Sequence, residues 1–297
     1  MGQDIEVARF SEADFAEFDE RLRRETDLLD AWLANGTLPA THKVGGFELE
    51  AWLVAADMRP APLVEDFLER LNDPLVVPEL ATFNAEINGT PQPLRGTALS
   101  RLAAELTDTW ERCTRAAAGL DARLAMVGIL PTVSPEVLDM AHMTPRNRYR
   151  AINEQIFDLR HGRPMRLEIQ GRDHLVLVRE DVMAESAATS FQIHLKVAPA
   201  EAARVYNLSK ILSAPMVAVS ANSPYLFGCD LWQETRIPLF EQAVSVGSGS
   251  ILDERVSFGV RYAERSIMEC FRANLARYPV ILPHLMDEPP ERLAHLL

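Results

Sequence analysis

Three segments of the sequence alternate polar and apolar residues with a period of two, and this alternation constrains the fold more than any other feature. The segments are GGFELEAWLV at residues 45–54, TFNAEIN at 82–88 and SFQIHLKV at 190–197. Successive side chains of a β-strand point to opposite faces, so each segment is predicted to be a strand with one apolar and one polar face. Antiparallel sheets commonly pack one face against a core. The sequence therefore predicts an α+β fold in which helices pack on the apolar face of an antiparallel sheet.

The polar faces of these strands carry oxygen-bearing side chains and one imidazole. They are Glu48 and Glu50 in the first strand, Asn84, Glu86 and Asn88 in the second, and Ser190, Gln192, His194 and Lys196 in the third. A sheet with one solvated face shows the same alternation without any site, and a lone histidine on such a face is commonly a surface residue. Glu and Asn are, however, depleted in strands, so a set this rich in them needs a further reason.

A divalent cation would supply that reason. Three carboxylates gathered on one face repel one another unless a cation neutralises them. Mg²⁺ and Mn²⁺ prefer oxygen ligands, and Mg²⁺ uses a few carboxylates together with phosphate oxygens. The strands therefore predict a metal site of the kind that binds nucleotide phosphates. The common motifs GxxxxGK[ST], GxGxxG and HExxH and the kinase signature set are absent from the sequence.

The overall charge narrows the range of partners. The 297 residues carry a formal net charge of −13, which argues against an extended nucleic-acid interface because phosphate binding needs clustered Lys and Arg.

The N-terminal stretch MGQDIEVARFSEADF contains acids and no continuous apolar segment, so neither a signal peptide nor a membrane anchor is expected. Three widely spaced cysteines fit reduced thiols. We expect a cytoplasmic protein that acts on small molecules.

The remaining elements follow from apolar spacing and from turn residues. Helices are predicted at residues 11–34, 63–71, 94–119, 143–161, 199–213 and 260–278, a buried strand at 124–130 and a hairpin at 165–169 and 175–178. No repeat, low-complexity tract or linker interrupts the sequence. We therefore expect a single domain over residues 1–297, with an N-terminal helical segment at 1–40.

Seven motifs in this order resemble one known family. They are GGFELEAWL, FNAEIN, GILPT, MTPRNRYRAIN, FQIHLKV, SANSPYLFG and WQETRIPLFEQAV, which span residues 43–243. Together they resemble the glutamate–cysteine ligase family of the bacterial carboxylate-amine ligase type. The resemblance implies a glutamine-synthetase-like fold, in which a curved antiparallel sheet holds metals and ATP phosphates on its concave face.

The resemblance also implies roles for individual residues. Glu48, Glu50, Glu86 and His194 would be Mg²⁺ ligands with Gln192 beside them, and Arg148, Tyr149, Asn222, Ser223 and Arg236 would contact glutamate or the phosphates. Of these, Arg148 and Arg236 are the catalytic candidates, because a guanidinium fork binds two oxygens of a phosphoryl or carboxylate group at once. For either arginine taken alone, a surface salt bridge is the ordinary alternative.

The reaction implied by the resemblance depends on ATP and on Mg²⁺, with Mn²⁺ as a substitute. The γ-carboxylate of glutamate would attack the γ-phosphate to give an acyl phosphate, which the amine of cysteine would then attack. A ligase with a different substrate pair and a nucleotide- and metal-binding paralogue without activity stay open as alternatives. An unrelated metal-dependent hydrolase is disfavoured, since the set contains one histidine.

The C-terminus departs from the family pattern. Relatives usually continue beyond the segment that matches DEPPERLAHLL, into a Trp-containing strand and a Glu and an Arg near the metals. We therefore expect either a C-terminally truncated ligase domain or one that lacks those strands, and this leaves open whether the chain acts alone. A missing strand would expose a sheet edge, which favours pairing with a second copy and hence a homo-oligomer.

Overall fold

The protein is seen in a computed structural model that describes residues 4–38, 42–246, 255–259, 261–284, 289 and 291. Its α-helices, in chain order, are α1 (Glu12–Asn35), α2 (Val64–Leu71), α3 (Ala98–Ala118), α4 (Asn147–Leu159), α5 (Ala202–Ser220), α6 (Arg236–Ala243) and α7 (Met268–Arg277). Short 3-10 turns lie between them, among them Met183–Ala187. None of the helices within these ranges is long and apolar enough to cross a bilayer.

The strands form one sheet and two smaller ribbons. They are β1 (Val44–Val54), β2 (Val76–Pro78), β3 (Asn84–Asn88), β4 (Gln92–Pro93), β5 (Arg123–Ala125), β6 (Met165–Gln170), β7 (His174–Arg179), β8 (Phe191–Lys196), β9 (Tyr225–Leu226) and β10 (Cys229–Asp230). The main sheet contains β1, β2, β3, β4, β5 and β8, whereas β6–β7 and β9–β10 are separate hairpins. Every pairing between these strands is antiparallel, which confirms the predicted α+β class.

The eleven-residue strand β1 lies at the centre of the main sheet. It pairs with β3 and β4 along one edge and with β8 and β5 along the other. Glu50 lies directly opposite Glu86 of β3, and Glu48 lies level with Asn88 of β3 and Gln192 of β8. Residues directly opposite each other share a face of an antiparallel sheet. The predicted polar faces of the three strands are therefore one continuous face.

The two faces of β1 contribute to different cores. Leu49 and Leu53 pack with Phe67 of α2 and Cys113 of α3, all at most 2% exposed. On the opposite face Trp52 stacks on Phe83 with ring centroids 5.4 Å apart, in a second core that includes β6, β7, α4 and α6. The carboxylates of β1 thus lie on the same face as a buried tryptophan, at the margin of the second core.

The apolar side of β8 differs from that of β1 and β3. Its residues Phe191, Ile193 and Leu195 alternate as the sequence predicts, but they are 54%, 61% and 51% exposed. Helices α2 and α3 therefore pack on the apolar face over β1 and β3, and none of the described helices covers it over β8.

Several element boundaries differ from the sequence prediction for identifiable reasons. The strand predicted at 124–130 leaves the sheet at Ala125, and Ile129 and Leu130 are buried in the second core instead. The helix predicted at 143–161 begins only at Asn147, because Pro145 disfavours helical geometry in the preceding residue. Helix α5 continues through Pro215 to Ser220, although proline removes one helical hydrogen bond.

The C-terminal helix is shorter than predicted. It runs over Met268–Arg277 rather than 260–278, and residue 260 lies outside the described residues. The Glu269 carboxylate accepts hydrogen bonds from the backbone N–H groups of Glu264, Arg265 and Ser266, which fixes where this helix begins. Helix α1 of the N-terminal segment packs on α7, and Arg272 forms an ion pair with Asp30 at 2.7 Å.

Candidate functional site

Glu50 lies at the centre of the polar sheet face and is held by β8. Its carboxylate accepts hydrogen bonds from the Ser190 backbone N–H at 3.0 Å and from the Ser190 hydroxyl at 2.8 Å. Gln192 donates from its amide to the same hydroxyl at 3.2 Å. Burial raises the pKa of Glu50, and the negative charge of Glu86 raises it further, although the Ser190 hydrogen bonds oppose this rise. Glu50 is therefore fixed in position, but these hydrogen bonds do not fully offset the burial of its charge and the repulsion from Glu86.

Glu48 is buried beside it with an unsatisfied oxygen. Its side chain is about one-twelfth exposed, and its Oε1 has no hydrogen-bond partner among the described residues. Its Oε2 lies 3.5 Å from Nε2 of His194, and this contact brings the predicted histidine to the cluster. The amide oxygen of Asn84, on the same face, is also buried without a partner. Buried oxygens without partners are rare in folded proteins, and an ion is one ordinary explanation.

Two glutamates that the sequence prediction did not include complete an acidic cluster. Glu79 precedes β3, and Glu185 lies in the 3-10 turn Met183–Ala187. Burial, together with the charges of Glu50, Glu86 and Glu185, raises the pKa of Glu79 to about 8. Burial and the charge of Glu50 raise the pKa of Glu185 to about 7. Such shifts arise where several carboxylates share a desolvated region, and they concentrate at functional sites.

Arg148 and Tyr149 border this cluster at the start of α4. The Arg148 guanidinium lies 5.2 Å from the centre of the Tyr149 ring, and its charge opposes the raised pKa of Glu185. Tyr149 is buried and donates from its hydroxyl to the backbone oxygen of Pro78 at 3.3 Å. Burial and the nearby charge of Glu79 raise the pKa of Tyr149. Tyr149 is accordingly a neutral residue at the border of the acidic cluster, and Arg148 is the cation on the same side of the cluster.

Arg236 belongs to a separate hydrogen-bonded network at the start of α6. Its Nε donates to one carboxylate oxygen of Glu234, and one terminal nitrogen donates to the other at 2.8 Å. The second terminal nitrogen donates to the Thr189 backbone oxygen at 2.6 Å. Burial opposes ionisation of Glu234, yet the hydrogen bonds from Arg236 and Ser223 hold its pKa below the ordinary value. A guanidinium has five N–H donors, so two remain for a ligand.

Asn222 and Ser223 support this network rather than pointing freely toward a ligand. The Ser223 hydroxyl is fully buried and donates to Glu234 at 2.6 Å, and the Asn222 side-chain oxygen accepts from the Gly128 backbone N–H at 3.1 Å. A Cβ at Gly128 would come within 2.5 Å of Asn222 and 2.7 Å of Arg236, so the network needs glycine there. The predicted residues Asn222, Ser223 and Arg236 are thus brought together.

The two networks are connected through adjacent residues of one loop. Thr189 accepts from Arg236, and Ser190, the next residue, holds Glu50. The sequence prediction missed Glu79, Glu185 and Glu234. The signal for Glu234 was its position two residues before Arg236 within the quoted motif WQETR, whereas Glu79 and Glu185 are single acids in loops without periodicity.

The donor chemistry of the sheet face fits a hard divalent cation. No three His, Cys, Asp or Glu side chains in the described ranges are close enough, in the positions they hold, to bind one ion. Mg²⁺ does not require three, because it commonly takes one or two protein carboxylates and completes its shell with water and phosphate oxygens. Donors of the right kind are present on this face. They are the carboxylates of Glu50 and Glu86, which lie directly opposite each other, and the unpartnered oxygens of Glu48 and Asn84.

The fold and this site define an α+β protein in which carboxylates gathered on a sheet face lie next to an anchored arginine. Comparison with protein families assigns the chain to the ligase-type enzymes. Within that class, residues 44–264 match the model of glutamate-cysteine ligase family 2, and since this is more than half of the chain, the chain belongs to that family. A search of curated proteins found no match. The matched residues include every predicted site residue, from Glu48 to Arg236.

Proposed function

We propose that the chain is an ATP- and Mg²⁺-dependent ligase that joins the γ-carboxylate of glutamate to the amine of cysteine. This proposal depends on the gathering of Glu48, Glu50 and Glu86 on one sheet face, where Oε1 of Glu48 and the side-chain oxygen of Asn84 are buried without a hydrogen-bond partner among the described residues. Membership of glutamate-cysteine ligase family 2 supports the type of reaction.

The proposed reaction has two steps. A γ-carboxylate oxygen of glutamate attacks the γ-phosphorus of ATP, which forms an acyl phosphate and releases ADP. The amine nitrogen of cysteine then attacks the acyl carbon, so that an amide forms, inorganic phosphate leaves and the nitrogen loses a proton. When bound, Mg²⁺ would neutralise phosphate charge and align the oxygens for displacement.

The chain's own residues would hold and orient these groups. Glu50 and Glu86 would bind the cation with Glu48, and Ser190 would keep the Glu50 carboxylate turned toward it. Arg236 would use its two remaining N–H donors on a phosphoryl or carboxylate oxygen, since Glu234 and Thr189 fix its plane. Prior anchoring of such a donor reduces the reorganisation needed during the reaction.

Phosphate release from ATP, measured with Mg²⁺ over a panel of amino acids, tests the proposal. We expect release that requires glutamate and cysteine together. Dependence on a different pair would change the substrate assignment within the class, and nucleotide binding without turnover under any pair would contradict a catalytic role.

A pair of glutamate variants tests the site itself. Glu50→Gln should abolish turnover and weaken Mg²⁺-dependent nucleotide binding while the melting temperature is maintained. Glu69→Gln is the matched control, because Glu69 is exposed on α2, away from the sheet face, and should leave turnover unchanged. Full turnover in Glu50→Gln would overturn the metal assignment.

A further inference from the structure

A pocket outside the carboxylate site lies between α5, α7 and the chain that leads into α7. Its volume is about 230 Å³, and three arginines line it: Arg255, Arg261 and Arg277. Tyr206 of α5 and Tyr278, which follows α7, contribute aromatic walls. None of these residues takes part in the acidic cluster or in the Arg236 network, so the pocket is a feature that the proposed ligase chemistry does not use.

The walls of this pocket are fixed by specific contacts with α5. The Asn207 side chain donates to the Ala263 backbone oxygen at 2.7 Å and accepts from the Ala263 backbone N–H at 2.9 Å. Lys210 donates to the Arg261 backbone oxygen at 3.0 Å. Its ammonium group also lies over three aromatic rings, those of Tyr206, Phe258 and Tyr262, at 5.2 to 5.7 Å. Lys210 therefore holds the wall in place.

The pocket has an excess of positive charge in a strongly acidic protein. Among the described residues that line the pocket, the three arginines are accompanied by one acidic residue, Glu269, which lies 3.9 Å from Arg261. The Glu269 carboxylate already accepts three backbone N–H groups ahead of α7, which hold its pKa below the ordinary value. It neutralises at most one of the three guanidinium groups, while the whole chain carries a net charge of −13.

Arg255 and Arg277 have no carboxylate partner within the described part of the chain. Arg255 donates to the Pro279 backbone oxygen at 2.5 Å and lies 6.0 Å from the centre of the Tyr278 ring. Burial lowers the pKa of Arg255, which reflects the loss of water around its charge. Arg277 makes no described hydrogen bond or ion pair, although it shares the pocket. Arg255 is half-buried, and a partly desolvated cation without a counter-charge is unfavourable, so a bound anion would relieve it; Arg277 is exposed at the pocket and offers its guanidinium to the same anion.

We propose that this pocket binds a phosphate group, either as inorganic phosphate or as the phosphorylated end of a small metabolite, through Arg255, Arg261 and Arg277. Guanidinium forks match phosphate oxygens in pairs, and three of them suit a dianion better than a single carboxylate. The volume is below the roughly 300–1,000 Å³ of pockets that enclose drug-sized ligands. The pocket is therefore sized for the phosphate end of a ligand.

Titration calorimetry of the full chain in EDTA, at constant ionic strength, tests this proposal. The ligands are inorganic phosphate, glycerol phosphate and ATP, and chloride is the monovalent control. We expect saturable binding of phosphate or glycerol phosphate that chloride does not reproduce. Tighter binding of glycerol phosphate than of phosphate identifies a metabolite as the ligand, and the reverse order identifies the free ion. Absence of saturable binding of either up to about 10 mM overturns the proposal.

Variants locate the site. Arg277→Gln should weaken binding at least about tenfold, because it removes charge-assisted hydrogen bonds and disturbs no described contact of the fold. Arg265→Gln is the matched control: it removes the same charge from an exposed position that does not line this pocket. Equal weakening by both variants, or weakening by Glu50→Gln instead, would contradict the proposal. Because EDTA and the absence of amino-acid substrates remove any contribution from ligase turnover, the result is independent of the proposed function.

Discussion

Protonation of Glu79 should control the stability of the cation-free protein. The folded state holds the pKa of Glu79 at about 8, whereas its ordinary value is 4.5, because burial and the charges of Glu50 and Glu86 disfavour its ionised form. The folded chain therefore binds a proton that the unfolded chain has released between these two pH values. The free energy of unfolding from this group is highest below pH 4.5 and falls as the pH rises toward 8.

The size of the effect follows from the two pKa values. Each pH unit between them changes the free energy of unfolding by about 1.4 kcal/mol. From pH 5.5 to pH 8 this single carboxyl would remove roughly 3 kcal/mol, a substantial fraction of the 5–15 kcal/mol typical of domains. Glu79→Gln should remove most of this loss, because the amide is neutral at every pH and its N–H can still donate toward Glu86.

Urea unfolding in EDTA at pH 5.5 and pH 8 measures the difference. We expect the original protein to lose roughly 3 kcal/mol more between the two pH values than Glu79→Gln does, and Glu69→Gln to behave like the original protein. Added Mg²⁺ should restore stability at pH 8, since the cation would take the place of the missing proton. If the free energy of unfolding depended equally on pH in the original protein and in Glu79→Gln, the claim that Glu79 belongs to a cluster of buried carboxylates that repel one another would be refuted.

Three further perturbations test other parts of the structure. Gly128→Ala should reduce kcat/KM at least about tenfold without unfolding the chain, because the new methyl group would displace Arg236. Steady-state kinetics measures the loss of activity, and circular dichroism checks that the chain stays folded. Ser190→Ala should raise the apparent pKa of the Glu50 carboxyl, because it removes the Ser190 hydroxyl, whose hydrogen bond favours the ionised form. The acidic limb of the pH–rate profile should then move to higher pH. Phe67→Ala should lower the free energy of unfolding by about 3–5 kcal/mol in urea, because it empties a fully buried position between α2 and the sheet.

The sheet face could be predicted from sequence because a strand has a period of two. Glu48 and Glu50 are two residues apart, so their sharing a face follows from strand geometry alone. The pairing of Glu50 with Glu86 could not follow from the pattern, because register depends on how β1 and β3 meet across a long connection.

The residues that sequence reasoning missed lie where no periodicity operates. Glu79 and Glu185 come from a loop and a 3-10 turn, and their proximity to Glu50 is set by the tertiary fold. Helix α5 extends to Ser220, beyond the predicted end at residue 213, because the apolar run around Pro215 continues the helix.

Electron paramagnetic resonance of Mn²⁺ bound in the presence of a non-hydrolysable ATP analogue tests whether the sheet face holds the catalytic cation. We expect the analogue to strengthen Mn²⁺ binding to the original protein and to Glu69→Gln. Glu86→Gln and Glu50→Gln should each lose most of this binding while they stay folded. Cation and nucleotide binding that is unchanged in both sheet-face variants would contradict the assignment of this face as the catalytic metal site.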